Sequence, residues 1–172
     1  MAHHPDPCEI CERVRACENG THPGLIAELD TGWAVLGDSQ YFRGYSLLLC
    51  KTPAPDLEEL APAVRLRFLE EMAQLSEAVR RVVTPHKMNL ESLGNMVPHL
   101  HWHVFPRQLA EPAPTSPVWL VMPAAEEAKP YALDPGRDAE LIHAIRAELA
   151  GLRSSENVVH VSVPDAPEKL PE

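Results

Sequence analysis

The alternation of apolar and polar residues predicts an antiparallel sheet packed against helices. Two short apolar runs within 24–38 are joined by a tight turn at 30–32, which predicts a hairpin. Residues 45–51, YSLLLCK, are apolar nearly throughout, as is typical of a central strand. Two further strands are predicted, at 87–94 and at 99–106, and a Gly-Asn turn follows the first of them.

Apolar residues at three- and four-residue steps predict two helices. The longer helix begins near Pro62, which suits a first turn, and ends at Thr84-Pro85. Its inward stripe is predicted to be Leu66, Leu69, Met72, Leu75, Val79 and Val82. The second helix lies within 134–152 and is predicted to turn Leu141, Ile142, Ile145 and Leu149 inward.

These elements predict one α+β domain over residues 1–155, with an antiparallel sheet of about five strands, one long helix and a C-terminal helix. The core of the domain is expected at about 8–107. Residues 108–155 add the C-terminal helix and, before it, a long proline-rich loop anchored around Val118-Trp119-Leu120. The tail at 156–172 could contribute an edge strand at 158–163 before it becomes disordered.

Charge and hydropathy exclude several classes of partner. The formal net charge is −10, and no Lys/Arg cluster exceeds Arg80-Arg81, so a nucleic acid polymer is not an expected partner. No run of 18 apolar residues is present and no secretory signal is evident, so no membrane partner is expected and the expected compartment is the cytoplasm. In that compartment cysteines are thiols or metal ligands more often than disulfides.

The stretch HLHWHVFPR at 99–107 places His99, His101 and His103 at alternate positions. Alternate residues of a strand point to one face, so Leu100, Trp102 and Val104 should face the helix. The histidines could be a polar strand face, a metal site, or nucleophiles for catalysis at phosphorus. The spacing alone does not separate the last two.

The same stretch resembles the signature of the histidine triad (HIT) family, in which histidines alternate with apolar residues. The longer segment LGNMVPHLHWHVFPR looks like a bacterial branch often labelled HIT hydrolases. The segment GWAVLGDSQYFRGYSLLLCKTPAPDLEEL is similar to the family's order of strand, acidic residue, turn, strand and helix. The resemblance covers about 8–107 and, more loosely, the Pro-Val-Trp at 117–119. It implies a HIT-like fold and a homodimer.

The resemblance also implies an activity and residue roles. A HIT hydrolase or transferase acts at the α-phosphate of a small nucleotide, of the dinucleoside polyphosphate or nucleoside phosphoramidate type, through a nucleotidyl-histidine intermediate. His101 would be the nucleophile, His103 would bind phosphate oxygens, and His99 would orient His101. Asp38 matches the acidic position that holds the ribose hydroxyls, although a turn aspartate is the alternative.

Three more residues are expected near the nucleotide. Asn95 matches the amide that the family places four residues before the first histidine, and Gly94 would let this loop approach closely. Asn89 could help from the preceding strand, or be an ordinary strand-end asparagine. Met96 stands where many members have Ser or Thr, so a hydroxyl contact to phosphate is absent.

Cys8 and Cys11 have the two-residue spacing of zinc ligands. In zinc-containing relatives the pair joins a histidine at the end of the third strand and the first histidine of the triad, here His99. Pro53 stands at the strand-end position, so one ligand is missing; Cys17, His22 and Cys50 are candidates outside the usual place. The expected chemistry requires no cofactor, and a bound zinc would be structural. Without zinc the pair would be reduced thiols in a local turn.

Two other functions remain open from the sequence. The first is a nucleotide-binding protein with little turnover, in which the pocket holds a nucleotide but the chemistry is weak. The second is a small zinc protein in which the triad itself coordinates the metal.

Overall fold

The computed structural model describes residues 8–156 and contains a five-stranded antiparallel sheet in the order β1-β2-β3-β5-β4. The strands are β1 Leu25–Glu28, β2 Gly32–Leu36, β3 Ser46–Cys50, β4 Lys87–Glu91 and β5 His101–Arg107. All four neighbouring pairs are antiparallel, and β3 is central. The predicted hairpin, central strand and α+β class are therefore confirmed. The strand containing the histidines begins two residues later than predicted, and β4 ends three residues earlier.

The helices are α1 Glu9–Glu18, α2 Pro62–Val83, α3 Ala125–Ala128 and α4 Ala139–Glu156. Helices α2 and α4 cover one face of the sheet, where Phe68 and Leu75 of α2 and Ile145 of α4 pack against Leu48 and Val104. All four apolar residues predicted to face inward on α4 are buried: Leu141, Ile142, Ile145 and Leu149.

The buried face of α2 differs from the predicted stripe. Leu66 is 68% exposed, whereas Phe68, which the stripe leaves out, is fully buried. The buried face also contains Glu71, whose carboxylate accepts hydrogen bonds from the backbone of Asp30 and from the hydroxyl of Thr31 at 2.6 Å each. The period of the apolar residues cannot reveal this face, because the face includes a buried carboxylate that binds a turn of the sheet.

Helix α1 lies on the opposite face of the sheet and was not predicted. For Cys8 and Cys11 the alternative without zinc was a local turn. Cys8 is instead the N-cap, and its sulfur accepts from the backbone N–H of Cys11 at 3.5 Å. Ile10, Val14 and Cys17 are buried against the sheet at helical spacing. The helix begins at the cysteine pair and gives this face of the sheet its own small core.

The long loop after β5 contains helix α3 and two 3-10 turns, Val118–Leu120 and Lys129–Tyr131. Only Val118 acts as the expected anchor, because it packs against Phe42 and Phe105, while Trp119 and Leu120 are 56% and 71% exposed. The edge strand predicted at 158–163 lies outside the described residues. None of the helices at 8–156 is long and apolar enough to cross a membrane.

Candidate active site

His101 and His103 lie on the face of β5 that points away from α2 and α4. They pair with Leu49 and Leu47 of β3, which belong to the small core under α1. Val104 and the partly buried Trp102 pack into the core on the other face. The predicted assignment of the two faces is therefore correct for these residues.

His99 differs from the other two histidines because it precedes β5 and does not line the same cavity. Its side chain is buried, with Nδ1 at 3.6 Å from the sulfur of Cys8 and 3.4 Å from that of Cys11. Its Nε2 is 2.8 Å from the carbonyl oxygen of Cys50. A carbonyl oxygen only accepts, so Nε2 carries the hydrogen and Nδ1 offers its electron pair to the thiols.

The cavity beside His101 and His103 has a volume of about 610 Å³ and lies between α1, the end of β2 and the loop before β5. Asp38, Gly94 and Asn95 line it, as do the two histidines. Gly94 has a φ of +66°, a left-handed conformation that favours glycine. Asn89 is not part of the lining; its side-chain oxygen Oδ1 accepts from Nη1 of Arg107 at 2.9 Å.

His101 is held by the backbone of its neighbour. Its Nδ1 lies 2.6 Å from the carbonyl oxygen of His99, to which it must donate. Its Nε2 is 3.0 Å from Nε2 of His103, and the two rings are nearly perpendicular, at 72°. Neutral His101 therefore carries its free electron pair on Nε2, the nitrogen that faces His103.

Tyr45 contacts His103, although the sequence did not predict it as a site residue. Its hydroxyl oxygen lies 2.6 Å from Nδ1 of His103, and its ring stacks on Phe105 with centroids 4.1 Å apart. Burial, and then the charge of His101, lower the pKa of His103 from 6.5 to about 4. Burial raises the pKa of Tyr45 above its ordinary value, so both side chains are neutral at neutral pH. Antiparallel pairing of 45–51 with the histidine strand was the signal that could have found Tyr45.

Arg13 of α1 was also missed, and it binds the carboxylate of Asp38 with both terminal nitrogens. Nη1 donates to Asp38 at 2.7 Å and Nη2 to Glu9 at 2.6 Å, while a second contact joins Nη2 to Asp38. The hydrogen bond from Arg13 is the main cause that lowers the pKa of Asp38. Arg13 could not be found from sequence because the helix that carries it was not predicted.

The only group of metal-binding side chains within 8–156 consists of Cys8, Cys11 and His99, whose donor atoms lie within 4.8 Å of one another. Two sulfurs and an imidazole Nδ1 fit zinc, and the hydrogen bond from Nε2 orients the imidazole as ligand histidines usually are. His101 and His103 are not in the group, which argues against a metal held by the whole triad.

The suggested replacement ligands Cys17, His22 and Cys50 are also absent from this group. Cys50 packs into the core on the helix side of the sheet, and burial raises its pKa to about 11. Burial likewise raises the pKa of Cys17 to about 12, so both thiols stay protonated at neutral pH. His22 accepts a hydrogen bond from the backbone of Gly24 at 3.1 Å.

The order of the sheet, the alternate histidines of β5 and the cavity beside them define a protein of the histidine triad class. The family model described as "HIT domain" matches residues 24–110, about half of the 172 residues. The chain belongs to the HIT family.

Several relatives extend this likeness over most of the chain. The adenylylsulfatase HINT3 of Arabidopsis thaliana is 25% identical over 158 residues, which are 88% of this chain and 74% of that protein. A histidine triad protein from Marinobacter aquaeolei VT8 is 26% identical, with a TM-score of 0.64, covering 74% of this chain and 89% of the other. One from Bradyrhizobium japonicum is 25% identical, with a TM-score of 0.62 and coverages of 73% and 89%.

Proposed function

We propose that this chain is a hydrolase or transferase that acts at the α-phosphate of a nucleotide and uses His101 as its nucleophile. The observation that carries the proposal is the hydrogen bond from Nδ1 of His101 to the carbonyl oxygen of His99. This bond leaves the electron pair of His101 on Nε2, beside a cavity of nucleotide size. An imidazole held in one tautomer next to such a cavity is suited to covalent catalysis.

In the proposed reaction a bond forms between Nε2 of His101 and the α-phosphorus. The bond from phosphorus to the leaving group breaks, and its electron pair departs with the leaving group, which takes up a proton when it is an amine. Water or another acceptor then attacks the same phosphorus and gives up a proton, while the bond from phosphorus to Nε2 breaks and its electron pair returns to His101. His103 lies near enough to donate a hydrogen bond to a phosphoryl oxygen, where negative charge grows in the transition state. His99 acts through its carbonyl as a positioning residue.

We propose that the ribose binds at Asp38 and the base against the apolar part of the lining, which includes Ile10, Leu47 and Val97. Each carboxylate oxygen has two electron pairs, so Asp38 can accept from the ribose hydroxyls while it stays bound to Arg13. Asn95 and Gly94 line the same cavity and are proposed to contact the phosphate. Asn89 lies outside this lining and is engaged by Arg107, so we do not include it.

The charges around the cavity favour a small leaving group. Arg13 is the one Lys or Arg among the described lining residues, and it is already bound to Asp38 and Glu9. The opening is apolar at Leu93, Met96 and Met122. A polyphosphate chain would bring several negative charges to a wall with no free cation, and such charge is costly without a partner.

We therefore propose a nucleoside phosphoramidate with an amine leaving group as the preferred substrate class, and dinucleoside polyphosphates as the second candidate. The name of the Arabidopsis relative, adenylylsulfatase, adds adenylyl sulfate as a test substrate whose leaving group is also small. A homodimer is part of the proposal through the family resemblance alone, and the cytoplasmic location stays a prediction from the sequence.

We also propose that Cys8, Cys11 and His99 can hold a structural zinc. When bound, it would fix the start of α1 against the strand that carries His101, and it would take no part in the reaction. Because the group within 8–156 has three ligands, where structural zinc sites usually have four, we expect less than one zinc per chain after purification without added metal. Metal analysis tests this, and one firmly held zinc per chain would contradict it.

Turnover of a substrate panel tests the proposed function. The panel contains adenosine and guanosine phosphoramidates, adenylyl sulfate and dinucleoside polyphosphates, with His101→Ala as the control protein. We expect the phosphoramidates to be hydrolysed fastest and the control to be inactive. Tight nucleotide binding without turnover of any member would instead support the binding protein that the sequence leaves open.

A further inference from the structure

We propose that Tyr45 is a positioning residue that fixes His103 in the tautomer protonated on Nε2. In this way it keeps the electron pair of His101 available to the substrate. The inference rests on the proposed function, because it assigns a part in the same reaction to a residue outside the histidine triad. Three hydrogen-bond contacts support it: His101 with His99, His101 with His103, and His103 with Tyr45.

The position of the hydrogen on His101 is fixed by a carbonyl oxygen, which can only accept a hydrogen bond. The carbonyl oxygen of His99 receives the hydrogen on Nδ1 of His101, so neutral His101 has an electron pair on Nε2. This nitrogen lies 3.0 Å from Nε2 of His103. Two electron pairs at that distance would repel each other, so Nε2 of His103 must carry a hydrogen.

The remaining nitrogen of His103 then needs a donor, and Tyr45 supplies it. Neutral His103 with a hydrogen on Nε2 has its electron pair on Nδ1, which lies 2.6 Å from the hydroxyl of Tyr45. Burial opposes the ionisation of Tyr45 and also opposes a positive charge on His103, so both groups are neutral. The neutral hydroxyl therefore donates its hydrogen to Nδ1. Stacking of the Tyr45 ring on Phe105, within 3° of parallel, holds the hydroxyl in place.

The tautomer matters once a phosphoryl group enters the cavity. The N–H group at Nε2 of His103 can then donate its hydrogen bond to a phosphoryl oxygen instead of to His101. This change of acceptor releases the electron pair of His101 for attack. Without the hydroxyl, only the contact with Nε2 of His101 favours this tautomer, and a larger share of the molecules would carry the hydrogen of His103 on Nδ1. Its Nε2 would then present an electron pair to a negatively charged oxygen, and such molecules would be inactive.

Tyr45→Phe removes the hydroxyl and keeps the stacked ring. We expect kcat to fall about 10-fold, the effect of one ordinary hydrogen bond, with KM nearly unchanged. Nitrogen NMR of histidine-labelled protein should show His103 protonated on Nε2 in the native chain and a mixture of tautomers in the variant. Tyr41→Phe is the matched control, since the ring of Tyr41 contacts Phe42 and Tyr131 and the residue lies outside the cavity lining.

The NMR measurement needs neither turnover nor a variant, so it separates this inference from the proposed function. Protonation of His103 on Nδ1 in the native chain would overturn the inference even if Tyr45→Phe failed to fold. A fall in kcat with an unchanged His103 tautomer would overturn it too, because Tyr45 would then act only through packing. If His103 were protonated on Nε2 as proposed but the native chain turned over no nucleotide, only the proposed function would be overturned.

Discussion

The two walls of the cavity are built in different ways. The wall that carries His101 and His103 is β5, which lies between β3 and β4 and is bonded on both sides. The facing wall is α1, which carries Arg13 and reaches the sheet through a small core, the thiols near His99 and an ion pair with Asp38. The proposed chemistry is thus on a rigid strand, and nucleotide recognition depends partly on a peripheral helix.

This difference predicts which property each wall controls. Changes on β5 should lower the rate of the chemical step, because they alter groups that act on the reacting phosphorus. Changes on α1 should alter affinity more than rate, because Arg13 acts on the ribose site through Asp38. The following variants test this division, from the largest expected effect to the smallest.

His101→Ala should lower kcat by about 10³-fold or more while nucleotide still binds, since it removes the group that attacks phosphorus. Steady-state kinetics and calorimetric titration with a nucleoside monophosphate measure the two properties. His143→Ala, at an exposed histidine of α4, is the control and should behave as the native protein. Equal losses of affinity and rate would show that His101 only binds the substrate.

The low pKa of His103 should make stability depend on pH. Above pH 6.5 neither the folded nor the unfolded chain protonates His103, so its contribution does not change. As the pH falls from 6.5 to about 4, the unfolded chain gains a proton that the folded chain resists, and the free energy of unfolding should fall by about 3 kcal/mol. Chemical denaturation across this range should show a shallower dependence for His103→Gln. The same slope in both proteins would contradict the buried, neutral state of His103.

Asp38→Ala should weaken ribonucleotide binding by about 1–3 kcal/mol, the range for a charged hydrogen-bond partner. Dideoxynucleotides, which lack both ribose hydroxyls, are the control and should lose much less. Titration of both against native and variant protein measures the effect. If both sugars lose the same affinity, Asp38 is only a turn residue bound to Arg13.

Arg13→Met should weaken ribonucleotide binding by about 1 kcal/mol and leave kcat nearly unchanged, since one hydrogen-bonded ion pair with Asp38 is lost. Arg15→Met changes an exposed arginine of the same helix and is the matched control. Comparison of KM and kcat for the three proteins checks the division between the walls. A large fall in kcat with normal KM would assign Arg13 to the chemical step instead.

The same two walls show what sequence could predict. Alternation in HLHWHVFPR predicted β5 and the faces of His101 and Trp102, because the period of two is a local property of a strand. The nearly continuous apolar run YSLLLCK predicted the central strand. Helix α1 was missed although Ile10, Val14 and Cys17 have helical spacing, because three apolar positions in a charged segment form a weak pattern.

The rest depends on contacts between residues distant in sequence. Nothing local indicates that Glu71 is buried beneath a turn 40 residues earlier, which is why the predicted stripe of α2 was displaced. The bonds from Arg13 to Asp38 and from Tyr45 to His103 likewise join separate elements. His99 was expected to line one strand face with His101 and His103, but it precedes β5. Its position beside Cys8 and Cys11 is the one that the zinc alternative predicted.

Trapping of the intermediate tests the central claim, that His101 attacks phosphorus, most directly. Native protein is mixed with a nucleoside phosphoramidate, stopped within the first turnover in alkaline denaturant because phosphorus–nitrogen bonds are labile in acid, and digested for mass spectrometry. We predict a nucleotidyl group on His101 that forms equally in the presence of a metal chelator and is absent from His101→Ala. Rapid turnover with no modified histidine, or an adduct on another residue, would contradict the account.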